Sequence, residues 1–265
     1  MSTLSDVDIK SEILKGNILI YPFQKENLKG ASYNLTVSKI AYKIPANAND
    51  TWESAYNPDE QKIIIPSNST VLIVTNETVY VNEKISGTYH SKVKQVSKGL
   101  GHISTTLDPT YLGVSVIALH NHNPQNIELE PEKDTFVSLV FRYVKTPSSV
   151  HHDNRPGRPD ILPELTKNEK DWFYEGFRKK RELLEEKMNE LSDVQELREK
   201  ANEQQEKKKK QWSWGIPYVI YVLIFLTTVL FHIFDINDEL ANKAQIACFS
   251  ALMVQVSTDL QRRNK

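Results

Sequence analysis

The stretch that decides the fold is residues 87–121, GTYHSKVKQVSKGLGHISTTLDPTYLGVSVIALHN. It contains β-branched and aromatic runs separated by Gly, Pro and Asn, which is typical of short strands joined by turns. Its central part has an apolar residue before Asp108, an aromatic ring at Tyr111 and a turn glycine at Gly113, and Asn121 follows eight residues later. A polar turn between two apolar strands is therefore the first feature that the sequence predicts.

This pattern resembles the trimeric dUTPase and dCTP deaminase superfamily. In that superfamily the aspartate lies over the sugar of a nucleotide, the aromatic ring packs beside it and the glycine closes the hairpin. A second match lies near the amino end, in the order in which dCTP deaminases open: LSDVDI at 4–9, IYPF at 20–23 and GASYNL at 30–35. Together the two matches cover about the first 145 residues.

Residues 18–144 consist of short β-branched and aromatic runs between Pro, Asn and Gly turns, and only residues 6–14 have a helical pattern. Several short strands at this spacing predict a β sandwich or jelly roll, which is also the fold that the resemblance implies. We therefore predict a mainly β, dUTPase/dCTP deaminase-like domain over residues 1–146. A long α-helix, as a possible trimeric coiled coil, and one or two transmembrane helices are predicted to follow it.

The composition changes after this domain. Residues 147–165 are rich in proline and are predicted to be a linker, with a metal site at His151–Asp153 as the weaker alternative. Residues 166–211 begin with capping-box spacing and continue as a highly charged helix, which favours a stalk. A solvated single helix held by Glu and Lys pairs is the alternative. The narrow apolar stripe of this helix consists of Phe173, Phe177, Leu184, Met188, Leu191, Val194 and Ala201.

The end of the chain predicts a membrane location. Residues 212–234 are assigned to a transmembrane helix because their apolar part carries no formal charge and matches a hydrocarbon core of about 30 Å. An acidic loop, 235–243, precedes a second transmembrane or amphipathic helix at 244–260. The flanking basic residues favour a hairpin with both ends in the cytoplasm, and a single span with an outer amphipathic tail is the alternative. If the source is bacterial, the inner membrane would hold the chain and the β domain would lie in the cytoplasm.

Composition also excludes some functions. The net charge of -1 argues against a nucleic-acid-binding protein, since such proteins usually carry a strong basic excess. A single cysteine, Cys248, excludes an intramolecular disulfide and a thiolate metal cluster. We expect no resident metal site. Neither the spacing nor a nearby carboxylate indicates ligands among three further histidines, which are interpreted as strand and turn polar groups: His102, His120 and His122.

The resemblance implies a chemistry that this sequence has partly lost. In dCTP deaminases the general acid/base is a glutamate five residues beyond the glycine equivalent to Gly113, and here that position is Ala118. A methyl group cannot transfer a proton, and proton transfer contributes about 100- to 10,000-fold to rate, so deamination is predicted to be lost. In dUTPases the aspartate equivalent to Asp108 activates the attacking water, with Mg²⁺ bound through the nucleotide phosphates. The glycine-rich carboxyl-terminal arm of dUTPases has no counterpart after Phe141.

The phosphate-binding segment of the superfamily, which is rich in serine, falls on His90, Ser91, Lys92 and Lys94. A hydroxyl, an imidazole and two ammonium groups are suitable donors for a triphosphate. We predict that these side chains bind the phosphates, whereas Asp108 and Tyr111 bind the sugar. An exposed strand end with ordinary lysines is the alternative.

Three functions remain. The first is a membrane-anchored homotrimer that binds a deoxynucleotide or a related nucleotide, lacks deaminase activity, and acts through its stalk as a sensor or membrane effector, by analogy in bacterial stress or phage defence. The second is a tethered dUTP diphosphatase that hydrolyses dUTP to dUMP and pyrophosphate. The third is a non-catalytic trimeric scaffold. The first is favoured because altered catalytic residues are joined to a stalk and to segments that would contact a lipid bilayer.

Overall fold

The computed structural model describes residues 2–45, 47, 50–149 and 181–233, together with separate positions between 243 and 254. The chain divides into two compact units, residues 1–198 and 199–265, which are treated separately. The predicted linker lies outside the described residues from position 150 onward. The same holds for residues 235–242 of the predicted acidic loop and for most of the second apolar segment.

The first unit is built mainly from short antiparallel strands. Its helices are α1 (Asp6–Leu14), α2 (Val93–Val96), α3 (Arg181–Glu190) and the start of α4 (Ser192–Ile233), with a 3-10 turn at Lys25–Asn27. Its strands are β1 (Ser2–Thr3), β2 (Ile18–Tyr21), β3 (Leu28–Lys29), β4 (Ser32–Lys43), β5 (Glu53–Ser54), β6 (Tyr56–Asn57), β7 (Lys62–Ile65), β8 (Ser69–Thr75), β9 (Thr78–Val81), β10 (Ile85–Ser91), β11 (Leu100–Gly101), β12 (Thr106–Leu107), β13 (Leu112–Gly113), β14 (Val116–Asn121), β15 (Ile127–Leu129) and β16 (Thr135–Tyr143).

The largest sheet has the strand order β11-β14-β8-β4-β16-β10-β12. Two three-stranded sheets, β13-β9-β2 and β15-β7-β6, contribute buried side chains to the same apolar core. Alternating side chains fill this core because successive residues of a strand point to opposite faces of the sheet. The prediction of a mainly β domain followed by a helix later in the chain is confirmed.

The apolar stripe of the predicted stalk packs, at 184–194, on the β domain of its own chain. The side chains of Leu184, Met188 and Val194 are 0%, 1% and 2% exposed and belong to the main core. The sulfur of Met188 accepts a hydrogen bond from the N–H of Ile20 at 3.0 Å. In this part of the chain the predicted coiled-coil seam is therefore replaced by packing on the β domain. Helical periodicity identifies an apolar face but does not specify the surface that covers it.

Polar contacts flank this packed helix at both ends. Arg181 donates a hydrogen bond to the carbonyl oxygen of Gly16 at 3.0 Å, and its guanidinium carbon lies 5.0 Å from the centre of the Tyr80 ring. At the other end, Lys25 Nζ lies 2.8 Å from Glu196 Oε2. These exposed contacts stabilise the fold weakly by themselves, and the buried stripe supplies most of the docking energy.

In the part of the chain that the structure describes, which includes few of the side chains at 212–234, no helix combines the length and the apolar character that a membrane crossing needs. On this finding the predicted location in a membrane is wrong. The predictions that depended on a membrane location are withdrawn. They are the transmembrane helices, the lipid partner and the cytoplasmic placement of the β domain.

A carboxyl group is buried beneath the main sheet at Glu77, which is 1% exposed. It accepts hydrogen bonds from the N–H of Thr36 at 2.9 Å and from the Thr36 hydroxyl at 2.8 Å. Burial nevertheless dominates over these two donors and raises the pKa of Glu77 to about 7. The group is therefore partly protonated near neutral pH.

We expect Met188→Ala to lower the free energy of unfolding of the full chain by about 2–4 kcal/mol, because it removes buried side-chain atoms and leaves a cavity. Urea unfolding measures this change. Glu186→Ala, at an exposed position of the same helix, is the matched control and should change stability by less than about 0.5 kcal/mol. Equal, small effects of both variants would show that the stripe is not packed on the β domain.

We expect the stability contributed by protonated Glu77 to be present below its unfolded pKa and to be lost as the pH rises through about 7. The folded pKa lies above the ordinary value of 4.5 for a glutamate, so the whole effect is on the order of 3 kcal/mol. Urea unfolding between pH 4.5 and 8 should show a smaller fall in stability for Glu77→Gln than for the unmodified chain. The exposed Glu60→Gln should keep the original slope, and an unchanged slope in Glu77→Gln would contradict the assignment.

Candidate functional site

Asp108 follows β12 and is exposed to solvent. Because β12 pairs with β10 and β13 pairs with β9, the predicted hairpin is a polar turn that joins two sheets, and the name hairpin is kept below for this turn, residues 108–113. The backbone of Thr110 adopts a φ of 66° and that of Gly113 a φ of 152°, so the chain reverses sharply before β13. The phenol of Tyr111 donates a hydrogen bond to the carbonyl oxygen of Val114, which fixes the half-buried ring at the base of the hairpin. The predicted sugar-binding carboxylate and ring therefore lie on one rigid turn.

The predicted phosphate-binding side chains lie at the end of β10 and the start of α2. His90 and Ser91 are exposed, and each contacts one neighbour: His90 Nε2 lies 2.8 Å from the Thr88 hydroxyl, and Ser91 Oγ lies 2.7 Å from His102 Nδ1. Together with the two lysines that follow, these groups form one polar surface.

The two lysines differ in environment. Lys92 is half-buried, and burial lowers its pKa, with a further contribution from the positive charges of Lys29 and Lys94. Lys94 is exposed and its ammonium nitrogen lies 4.0 Å from Asp134 Oδ1. A bound anion would therefore stabilise the ammonium group of Lys92 more than that of Lys94, because Lys92 is half-buried and has like charges nearby.

The register of the sheet separates these two groups of residues. Strands β10 and β12 are antiparallel and pair Gly87 with Leu107, so Asp108 lies at the level of Ser86. Ser91 is five residues further along β10, which corresponds to about 16 Å at the rise of a strand. Within one chain, the structure therefore does not bring together the residues predicted to bind the sugar and those predicted to bind the phosphates.

The position expected for the catalytic glutamate lies on the outer face of the main sheet. Ala118 pairs with Leu72 of β8 and packs against a small apolar cluster that also contains Tyr42, Val74 and Val114. The buried members of this cluster are all apolar or aromatic. The position predicted for the acid/base is therefore occupied by a methyl group that packs among apolar side chains.

The last residue of the sequence pattern, Asn121, has a structural role. Its side chain is 1% exposed and donates hydrogen bonds to the carbonyl oxygens of Ile65 at 3.0 Å, Pro66 at 3.1 Å and Gln125 at 2.9 Å. Its own carbonyl oxygen accepts from the N–H of Asn123 at 2.9 Å. Asn121 thus fixes the turn after β14 and does not face the hairpin groups.

One residue that the sequence analysis set aside contacts the candidate site. His102 was interpreted as a strand or turn group, and the structure places its imidazole against Ser91. The spacing of residues in the sequence does not indicate this contact, because it forms only when the segment after β11 folds back beside the end of β10. Among the described residues, no group of three His, Cys, Asp or Glu side chains is arranged to hold a metal ion.

The sequence model of the dCTP deaminase-like family matches residues 3–144. Because this match covers more than half of the 265 residues, the chain belongs to the dCTP deaminase-like family. The resemblance over the amino-terminal domain is thereby confirmed. The match includes the hairpin, the end of β10 and the position of Ala118, and it ends before α3 begins.

Individual relatives and one solved structure are similar to part of this chain. A dUMP-forming dCTP deaminase of Methanopyrus kandleri is 26% identical over 182 residues, which cover 59% of this chain and 94% of that protein. A dCTP deaminase of Pyrococcus abyssi is 29% identical over 135 residues, with coverage of 51% and 82%. A 2'-deoxycytidine 5'-triphosphate deaminase structure from Agrobacterium tumefaciens gives a TM-score of 0.45 at 11% identity and covers 54% of this chain and 48% of that one.

Proposed function

We propose that this chain binds a deoxynucleotide, or a related nucleotide, in pockets shared between the copies of a homotrimer, and that it does not deaminate dCTP. The observation that carries the proposal is the contrast between two parts of the site. The groups suited to a sugar and to phosphates are kept and accessible, whereas the position of the expected acid/base is Ala118 in an apolar cluster. Binding is retained in this proposal while the proton-transfer step is lost.

The distance between Asp108 and Ser91 along β10 is the reason for proposing a pocket that two copies of the chain share. A nucleotide carries its first phosphate directly on its sugar, so a site needs both kinds of groups side by side. Asp108 and Ser91 of one chain lie about 16 Å apart along the ladder. Two copies related by rotation can instead place the hairpin of one against the strand end of the other. Each pair of neighbouring copies in a trimer would then form one pocket.

The loss of deamination has a direct physical reason. Water attack on a cytosine ring needs a group that accepts and then delivers a proton, and this step contributes about 100- to 10,000-fold. The side chains packed with Ala118 include Leu72, Val74 and Val114, and none of these can exchange a proton.

A sensor role is supported by the packing of α3. Tyr80 of β9 pairs with Leu112, directly after the hairpin, and with Leu19 of β2 on its other side. The guanidinium of Arg181, at the start of α3, lies over the ring of this same Tyr80. The hairpin and the helix are thus joined through two strand pairings. We propose that a bound nucleotide shifts the docking of α3, which requires different affinities for two arrangements of the helix.

A dUTP diphosphatase is the second candidate, and the exposed carboxylate of Asp108 favours it. A carboxylate in this position can orient and deprotonate a water molecule near a nucleotide phosphate. Mg²⁺ carried by the phosphates would neutralise the charge that develops on their oxygens. In that case Asp108 would be the catalytic residue, with Ser91 and Lys92 as phosphate ligands from a neighbouring copy.

Incubation of the full chain with Mg²⁺ and each deoxynucleoside triphosphate separates these functions, with product analysis and thermal unfolding on the same samples. We expect at least one nucleotide to raise the unfolding temperature without release of ammonia, pyrophosphate or dUMP. Asp108→Asn keeps the shape of the side chain and should retain most of this shift, because it removes a charge that turnover needs and binding does not. Asp59→Asn, at an exposed turn, is the control.

Two results would contradict the proposal. Formation of dUMP and pyrophosphate from dUTP, abolished in Asp108→Asn and kept in Asp59→Asn, would establish the diphosphatase. An unfolding temperature that no nucleotide changes would leave the non-catalytic scaffold.

A further inference from the structure

The hydroxyl of Ser91 is held by a single side chain. Ser91 Oγ lies 2.7 Å from His102 Nδ1, although the two residues are eleven positions apart. A serine hydroxyl has only one proton, so its direction decides whether Ser91 can donate to a phosphate oxygen. If that proton points to the imidazole, the hydroxyl presents only lone pairs to an anion.

The other ring nitrogen indicates which way the hydrogen bond runs. In the described part of the chain, His102 Nε2 is buried and lies within hydrogen-bond distance of no partner. The carbonyl oxygen of Tyr89, which accepts a hydrogen bond from the Ser104 hydroxyl at 2.6 Å, lies near the ring but outside hydrogen-bond geometry with Nε2. A buried N–H without an acceptor is rarer and more costly than a buried lone pair. The neutral ring is therefore expected to carry its proton on Nδ1 and to donate it to Ser91.

The surroundings keep this ring neutral. Burial lowers the pKa of His102, the Tyr89 carbonyl opposes this shift, and the positive charges of His90 and His120 add to it. His120 itself is tied to a neighbouring strand, with Nδ1 at 2.8 Å from the Thr70 hydroxyl. A neutral ring with one defined donor gives Ser91 a fixed orientation, whereas an exposed, charged ring would not.

We propose that His102 is a positioning residue of the phosphate-binding segment. Its Nδ1–H donates to Ser91 Oγ, and this directs the hydroxyl proton outward, where it can meet a phosphate oxygen of the bound nucleotide. The proposal rests on the proposed function, because it gives Ser91 a nucleotide phosphate to bind. In this proposal a residue that does not touch the ligand helps the site to bind a nucleotide more tightly than its nucleoside.

The test compares triphosphates with nucleosides in the full chain. The affinities for dCTP and dUTP with Mg²⁺, and for deoxycytidine and deoxyuridine, are measured in the unmodified chain, His102→Leu and His102→Asn. We expect His102→Leu to weaken binding of the triphosphate about tenfold, as is typical for one hydrogen bond to a charged group, and to leave nucleoside affinity unchanged. His102→Asn should recover most of the loss, because its amide nitrogen can occupy the place of Nδ1.

Two further variants show whether His102 acts through Ser91. In the Ser91→Ala background, His102→Leu should cause no additional loss, since coupled residues are not additive. His122→Leu, at an exposed position whose ring lies 6.2 Å from that of His120, is the matched control and should bind as the unmodified chain does. Thermal unfolding of every variant identifies a loss that comes from misfolding.

The outcomes separate the two proposals. Equal weakening of triphosphate and nucleoside, losses that add to those of Ser91→Ala, or no recovery in His102→Asn would overturn the positioning role while nucleotide binding stands. Absence of triphosphate binding by the unmodified chain would overturn the proposed function and this inference with it.

Discussion

The antiparallel pairing of β10 with β12 is the constraint on which the arrangement of the site depends. It sets Gly87 opposite Leu107, and from that register the hairpin with Asp108 and the strand end with Ser91 must point to opposite ends of the ladder. A shift of one residue would exchange the buried and exposed faces of the strand, so the core fixes the register. The separation of the two groups is therefore a property of the fold.

The same sheet system explains how the helix beyond the family match joins the β domain. Strand β2 is covered by Leu184 and Met188, which are as deeply buried as the central strands. The family match ends before this helix, at residue 144. Because β2 pairs with β9 and β9 with β13, the covered sheet also includes the strand that leaves the hairpin. The proposed sensor role depends on this continuity.

The sequence was sufficient to predict the mainly β domain, because strand runs and turns are local features, and to place Asp108 and Tyr111 on one turn. It did not show that the strands on either side of this turn belong to different sheets. It could not predict the contact between Ser91 and His102, which forms only between segments that return to the same sheet edge. The sequence also did not indicate which surface covers the apolar stripe around Met188, since an apolar helical face fits another helix or a sheet equally well. The predicted membrane location, based on residues 212–234, is contradicted by the described residues.

The shared pocket is tested most directly by mixing two variants that are each unable to bind. Asp108→Trp fills the space of the sugar, and Ser91→Asp repels the phosphates, so trimers of either variant alone should not bind dUTP or dCTP. If the pocket lies between copies, random mixed trimers obtained by co-expression should regain about one quarter of the sites, because one variant supplies an intact hairpin and the other an intact strand end. Mixed trimers that bind no nucleotide, although the unmodified chain does, would contradict the account.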